Sequence, residues 1–91
     1  MKYMVVETFT GGAHVVYERA RARGRLLPPG LHYLESWVDV GLGRCFQVME
    51  TDDPALFERW IAAWSDLVSF EVVPVVDSAE AARLVDQSRG A

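Results

Sequence analysis

Several things are scarce in this 91-residue chain, and each scarcity closes off a class of function. There is one cysteine, Cys45, so no disulfide can close within the chain and no multi-cysteine zinc site can be built. There are two histidines, His14 and His32, and no H-E-x-x-H spacing. There is one lysine, Lys2, and the nine basic residues are outnumbered by thirteen acidic ones, for a net charge of −4. Nucleic-acid binding normally needs a basic surface to displace counterions from phosphate. No apolar run approaches the roughly 18 residues that a membrane span requires. At the N-terminus, MKYMVVETF meets Glu7 too soon to hold a signal-peptide apolar region. A phosphate-binding Gly-rich loop, G-x-S-x-G and C-x-x-C are also missing. These absences predict a soluble, cytoplasmic protein with no nucleic-acid or membrane partner, no metal and no cofactor.

What is present is ordinary globular composition, 51% hydrophobic and 24% charged, which excludes intrinsic disorder. The length allows one domain, residues 1–91, with a small core. A chain of this size buries about 60–65% of the surface its unfolded form exposes.

Residues 2–9, KYMVVETF, are β-branched and aromatic and predict a central strand. Gly11-Gly12 ends it. From Ala13 to Arg23 the apolar positions Ala13, Val16, Tyr17 and Ala20 recur at helical spacing, and Gly24 closes that helix. Pro28-Pro29-Gly30 forbids continuation. Residues 31–40 and 44–51 predict two strands joined at Gly41-Leu42-Gly43 as a hairpin. Asp53 and Pro54 mark a helix start. That helix is expected to run to Leu67, with Phe57, Trp60, Ile61, Trp64 and Leu67 on one buried stripe. Residues 68–76 predict a fourth strand, which Pro74 assigns to an edge or a strand end. Asp77 or Ser78 then caps a short last helix with Ala81, Leu84 and Val85 facing inward, and residues 87–91 are expected to fray.

The order β-α-β-β-α-β, plus a terminal helix, predicts an α+β, ferredoxin-like fold. Right-handed crossovers put the first and third strands at the centre of a four-stranded antiparallel sheet, with both main helices on one face. The other face then has no cover within the chain. Simple hairpin register sets Trp37 opposite Phe46, Glu35 opposite Val48 and Tyr33 opposite Glu50. An apolar, aromatic second face wants a partner. Tyr33, Trp37, Phe46 and Val48 are therefore candidates for the contact face of a homodimer.

The segments MKYMVVETF, YERARARGRLLPPGLHYLESW and RCFQVMETDDPALFERW resemble a family of short bacterial proteins of unknown function in the dimeric α+β-barrel, ferredoxin-like superfamily. The resemblance runs from Met1 to about Val76, and RCFQVMETDDPALF is its most specific part. It implies a fold and a dimer. It implies no catalytic residue.

Each candidate for chemistry has a plainer alternative. His32 on a strand could serve as a general base or a haem ligand, but a structural role is commoner; His14 is the weaker of the two. Gln47, in mid-strand between Phe46 and Val48, must find partners when buried, at Ser36 across the hairpin, a ligand or water. Glu7, Glu35 and Glu50 could pair for acid–base work, but exposure at strand ends is the expectation. Arg44 is expected to pair with Asp39 across the turn. Arg19, Arg21, Arg23 and Arg25 scatter around a helix and read as a solvated face. Cys45 reads as an inert strand residue. Trp60 and Trp64 read as core, yet with Trp37 they offer flat walls for a planar ligand.

The function expected is binding or sensing of an apolar or aromatic small molecule between sheet and helices. Gln47, Ser36 and His32 would supply polar contacts, and Trp60 and Trp64 the walls. Two alternatives stand beside it: a cofactor-independent enzyme of the monooxygenase or isomerase kind using the same cavity, and an assembly module with no ligand. The strand order also suits RNA-recognition modules. The strand RCFQVMET has one aromatic and ends in acid, which argues against RNA.

Overall fold

The computed structural model describes residues 1–89. Seven elements run in order: β1 (Lys2–Phe9), α1 (Ala13–Arg23), β2 (His32–Val38), β3 (Arg44–Glu50), α2 (Leu56–Ala62), β4 (Val68–Val75) and α3 (Ser78–Arg89). The sheet is antiparallel throughout, in the order β2-β3-β1-β4. This is the ferredoxin-like arrangement, with β1 and β3 central and β4, which carries Pro74, at an edge.

The period-two pattern decides which residues meet the helices. On β1 these are Tyr3, Val5, Glu7 and Phe9, in register with Met49, Gln47 and Cys45 of β3. Val5 and Met49 are completely buried. Above them α2 lays Phe57 and Trp60, and edge-to-face ring contacts run from Tyr3 to Phe57 to Trp60 to Phe70. Such aromatic pairs add about 0.5–1.5 kcal/mol each beyond the area they bury.

The second helix is shorter than its stripe of apolar residues. Regular α-helix covers only Leu56–Ala62. At both ends the turns tighten to i→i−3 bonds, as from the amides of Leu56 and Phe57 to the carbonyls of Asp53 and Pro54. Asp53 accepts from the Ala55 amide at 3.1 Å, so it caps this tight turn rather than the helix proper. Trp64 and Leu67 continue the stripe in similar tight turns, and the buried Val68 opens β4.

The β2–β3 turn is held by Asp39, whose carboxylate accepts from the amides of Gly43 and Arg44. Those two N–H groups hold it below the usual carboxylate range. Arg44 sits 3.6 Å from the same carboxylate. The left-handed position of this turn is taken by Leu42 (φ 58°), not by either flanking glycine.

Simple register fails at one place on β2. Tyr33 pairs with Met49 and Glu35 with Val48, so Leu34 is an extra, bulged residue. The bulge sends Tyr33 to the helix side, and His32, not Tyr33, stands opposite Glu50. Tyr33 is therefore removed from the open face, which keeps Trp37, Phe46 and Val48 together with Met4, Val6 and Val73. Trp37 is 53% exposed.

The last helix also departs from expectation. Asp77 caps it through the Glu80 amide at 2.8 Å. It has no buried residue, however, and Leu84 and Val85 are 44% and 57% exposed rather than turned inward. Residues 87–89 are helical rather than frayed; the same expectation for Gly90 and Ala91 lies outside the described residues.

Candidate functional site

A cavity of about 390 Å³ lies between α1 and the β2–β3–β1 side of the sheet. Its polar side is built by the sheet: Glu7 from β1, Cys45 and Gln47 from β3, and Ser36 from β2. Its apolar side is built by Phe9, by Val16, Tyr17 and Ala20 of α1, and by Trp60 and Trp64. The space explains why α1 buries no residue at all. It stands across the cavity rather than against the sheet.

Two contacts hold α1 in that position. The Arg19 guanidinium grips both carboxylate oxygens of Asp66, at 2.7 and 2.6 Å, and also donates to the Ala63 carbonyl. Its charge holds Asp66 below the usual carboxylate range. At the other end of the helix the Arg25 carbonyl accepts from two indoles, Trp60 Nε1 at 3.0 Å and Trp64 Nε1 at 2.9 Å. The chain reaches that place through Gly24 (φ 71°) and a left-handed Leu26 (φ 60°).

That strained connection brings the Arg25 side chain to the cavity. Its guanidinium lies 3.5 Å from the centre of the Tyr33 ring and donates to Gln47 Oε1 at 3.3 Å. The amide of Gln47 in turn donates to Glu7 Oε2. Arg25, Gln47 and Glu7 thus form a chain of contacts from rim to floor. Ser36 is not a partner of Gln47; its hydroxyl bonds the Tyr33 hydroxyl at 2.7 Å.

Glu7 is the residue that sequence reasoning placed wrongly. It is only 6% exposed. Burial pushes its carboxyl up to about 7, opposed by the neighbouring Cys45 thiol and the Arg25 charge. The same burial, with Glu7 alongside, pushes the Cys45 thiol up to about 12, which keeps it a poor nucleophile. The signal for Glu7 was available. It falls on the same alternate positions as Tyr3, Val5 and Phe9, which form the buried face.

Of the other candidates, Gln47, Ser36, Trp60 and Trp64 all line this cavity. His32 does not. It faces a separate depression with Met1, Glu50, Thr51 and Asp53, at the far end of the hairpin. Glu35 and His14 are exposed. Of the arginine run, Arg21, Arg23 and Arg25 are exposed as expected, though Arg25 also donates to Gln47; Arg19 is partly buried and engaged with Asp66. Among the described residues no group of three or more His, Cys, Asp or Glu is placed to hold a metal ion, and no helix is long and apolar enough to cross a membrane.

The family model for a domain of unknown function, DUF3303, matches residues 1–89. The chain belongs to this family. No curated protein matches it. What DUF3303 offers here is therefore an architecture without an assigned activity, and the cavity is where chemistry has to be sought.

Proposed function

We propose that this DUF3303 domain binds an apolar or aromatic small molecule in the cavity between sheet and helices. The observation that carries the reading is the cavity itself. Here about 390 Å³ stands beneath a helix with no buried residue, within the range of small-molecule sites. The lining has the usual plan of such sites, with aromatic walls and a few convergent polar groups. Tryptophan fluorescence tests it, since Trp60 and Trp64 line the wall. Titration with naphthalene-sized aromatics should give a saturable change at one molecule per chain. A strictly linear response up to the solubility limit, across such a panel, would sink the reading.

A second reading rests on Glu7. A buried carboxyl that titrates near neutral pH suits proton transfer, as in a cofactor-independent isomerase or oxygenase. Chemical change in a bound compound during prolonged incubation, lost in Glu7→Gln, would favour it over simple binding.

The homodimer belongs to the same proposal. A folded monomer of this mass exposes about 5,300 Å², whereas this chain exposes 6021 Å². The excess is close to the ~800 Å² per partner of a standard interface. Two surfaces account for it: the apolar open face of the sheet and the apolar stripe of α3. A second copy packed sheet to sheet covers the first, and an exchanged α3 covers the second. Light scattering on a sizing column should report twice the chain mass, and a monomer at micromolar concentration counts against it.

A further inference from the structure

The cavity's polar groups are not spread around it. They are gathered along one edge, and they are of two kinds. At the floor stands Glu7, which accepts from the Gln47 amide and from the Cys45 thiol, two bonds on a carboxylate that has room for more. At the rim stands the Arg25 guanidinium, with one of its five N–H groups spent on Gln47. A single amide joins the two, so the acceptor and the cation lie within one small molecule's width of each other. Opposite them the walls are aromatic and aliphatic, from Trp60, Trp64 and Phe9.

We infer that the preferred occupant is a flat aromatic compound carrying a hydroxyl beside a carboxylate or carbonyl oxygen, with the hydroxyl donating to Glu7 and the neighbouring oxygen received by Arg25. The inference rests on the small-molecule reading above and names the class of ligand. Each group on such a molecule answers one on the protein. An aromatic hydrocarbon gains nothing from either Glu7 or Arg25 and covers the Glu7 carboxyl without giving it a further donor. A simple carboxylate satisfies Arg25 but brings Glu7 no hydrogen to accept. A simple phenol satisfies Glu7 and leaves the guanidinium with nothing to bind. The hydroxy-acid edge meets both, and its aromatic body covers the indole wall. Arg25 is already oriented by stacking on Tyr33, so little side-chain freedom is lost when it takes the oxygen.

A four-compound cycle tests this with the intact protein: 3-hydroxy-2-naphthoate, 2-naphthoate, 2-naphthol and naphthalene, titrated by fluorescence or calorimetry. The hydroxynaphthoate should bind at least tenfold more tightly than any of the other three. In Glu7→Gln the advantage of adding the hydroxyl to 2-naphthoate should shrink several-fold, while the advantage of the carboxylate over naphthalene remains. In Arg25→Met the pattern should reverse. Circular dichroism confirms that each variant is folded before it is scored. If all four compounds bind equally, the ligand class is wrong and the small-molecule site survives. If none binds, the small-molecule site falls and the ligand class falls with it.

Discussion

A carboxyl set on β1 in line with Tyr3, Val5 and Phe9 gives up its hydration when the sheet folds. The cost of that burial depends on pH, and its sign is decided by where the proton sits. Below about pH 4.5 Glu7 is protonated in both the folded and unfolded chain, and nothing is lost. As pH rises from there to about 7, the unfolded chain releases the proton and the folded one holds it. Stability therefore falls across that window and levels off above it, by about 3 kcal/mol for a shift of this size. Glu7→Gln removes the dependence, because the new amide oxygen can still accept from Gln47. Urea denaturation of the two proteins should agree near pH 4 and diverge toward pH 8, with the variant more stable by up to about 3 kcal/mol. Parallel curves across that range would show that Glu7 is not burdened by burial. The turn between β2 and β3 offers a second single-residue effect. Leu42 holds a left-handed backbone that costs a non-glycine residue about 1 kcal/mol or more. Its side chain is exposed, so Leu42→Gly should raise the denaturation midpoint.

At the scale of elements, the connection from α1 to β2 is organised around one carbonyl. Arg25 accepts from both Trp60 and Trp64, which ties the end of one helix to the face of the next. Replacing either indole by phenylalanine leaves that carbonyl one partner. Each single change should cost about 1 kcal/mol beyond its packing loss. The double variant should cost more than the two together, since it leaves a partly buried acceptor without either indole. Additive values in a double-mutant cycle would mean that the two bonds act independently. The elements themselves were mostly legible, because their boundaries are chemical: Gly11-Gly12 ends the first strand, Pro28-Pro29-Gly30 bars the first helix from continuing, and Pro54 opens the turn that leads into α2. Other features left no such mark. The Leu34 bulge adds one residue to a two-residue period and so reverses Tyr33 without altering composition. The approach of Arg25 to the cavity comes between Gly24 and a left-handed Leu26, a conformation that a leucine does not announce. Gln47 stood out because an amide in a central strand demands partners, but the partner proved to be Glu7 rather than Ser36.

For the molecule as a whole, extents of 51 × 30 × 18 Å describe a body too long and thin for its mass. Its Cα radius of gyration is 15.4 Å, where a chain of this length packs to about 12 Å when compact. The uncovered sheet face is the part of that surplus best suited to test. Trp37→Lys places a charge on it, on the edge strand β2 opposite Phe46. In the proposed dimer this should weaken association at least tenfold, seen by light scattering on dilution, with the fold of each chain unchanged. An unaltered association curve would move the contact elsewhere. The sequence already pointed to the open face, because two helices cannot cover two faces of a sheet. It misjudged α3, whose apolar stripe has the period of a buried helix but no core of its own chain to enter.

The position of α1 also bears on time. A helix with no fully buried residue, held by Arg19, by its C-terminal connection and by the partly buried Val16 and Ala20, has less free energy opposing its departure than the central strands have. Its amides should exchange with deuterium well before those of the central strands, and a molecule in the cavity should slow them in proportion to its occupancy. A guest that leaves by way of α1 leaves only as often as that helix lifts. A tighter grip between Arg19 and Asp66 would lengthen residence without adding a single contact to the guest.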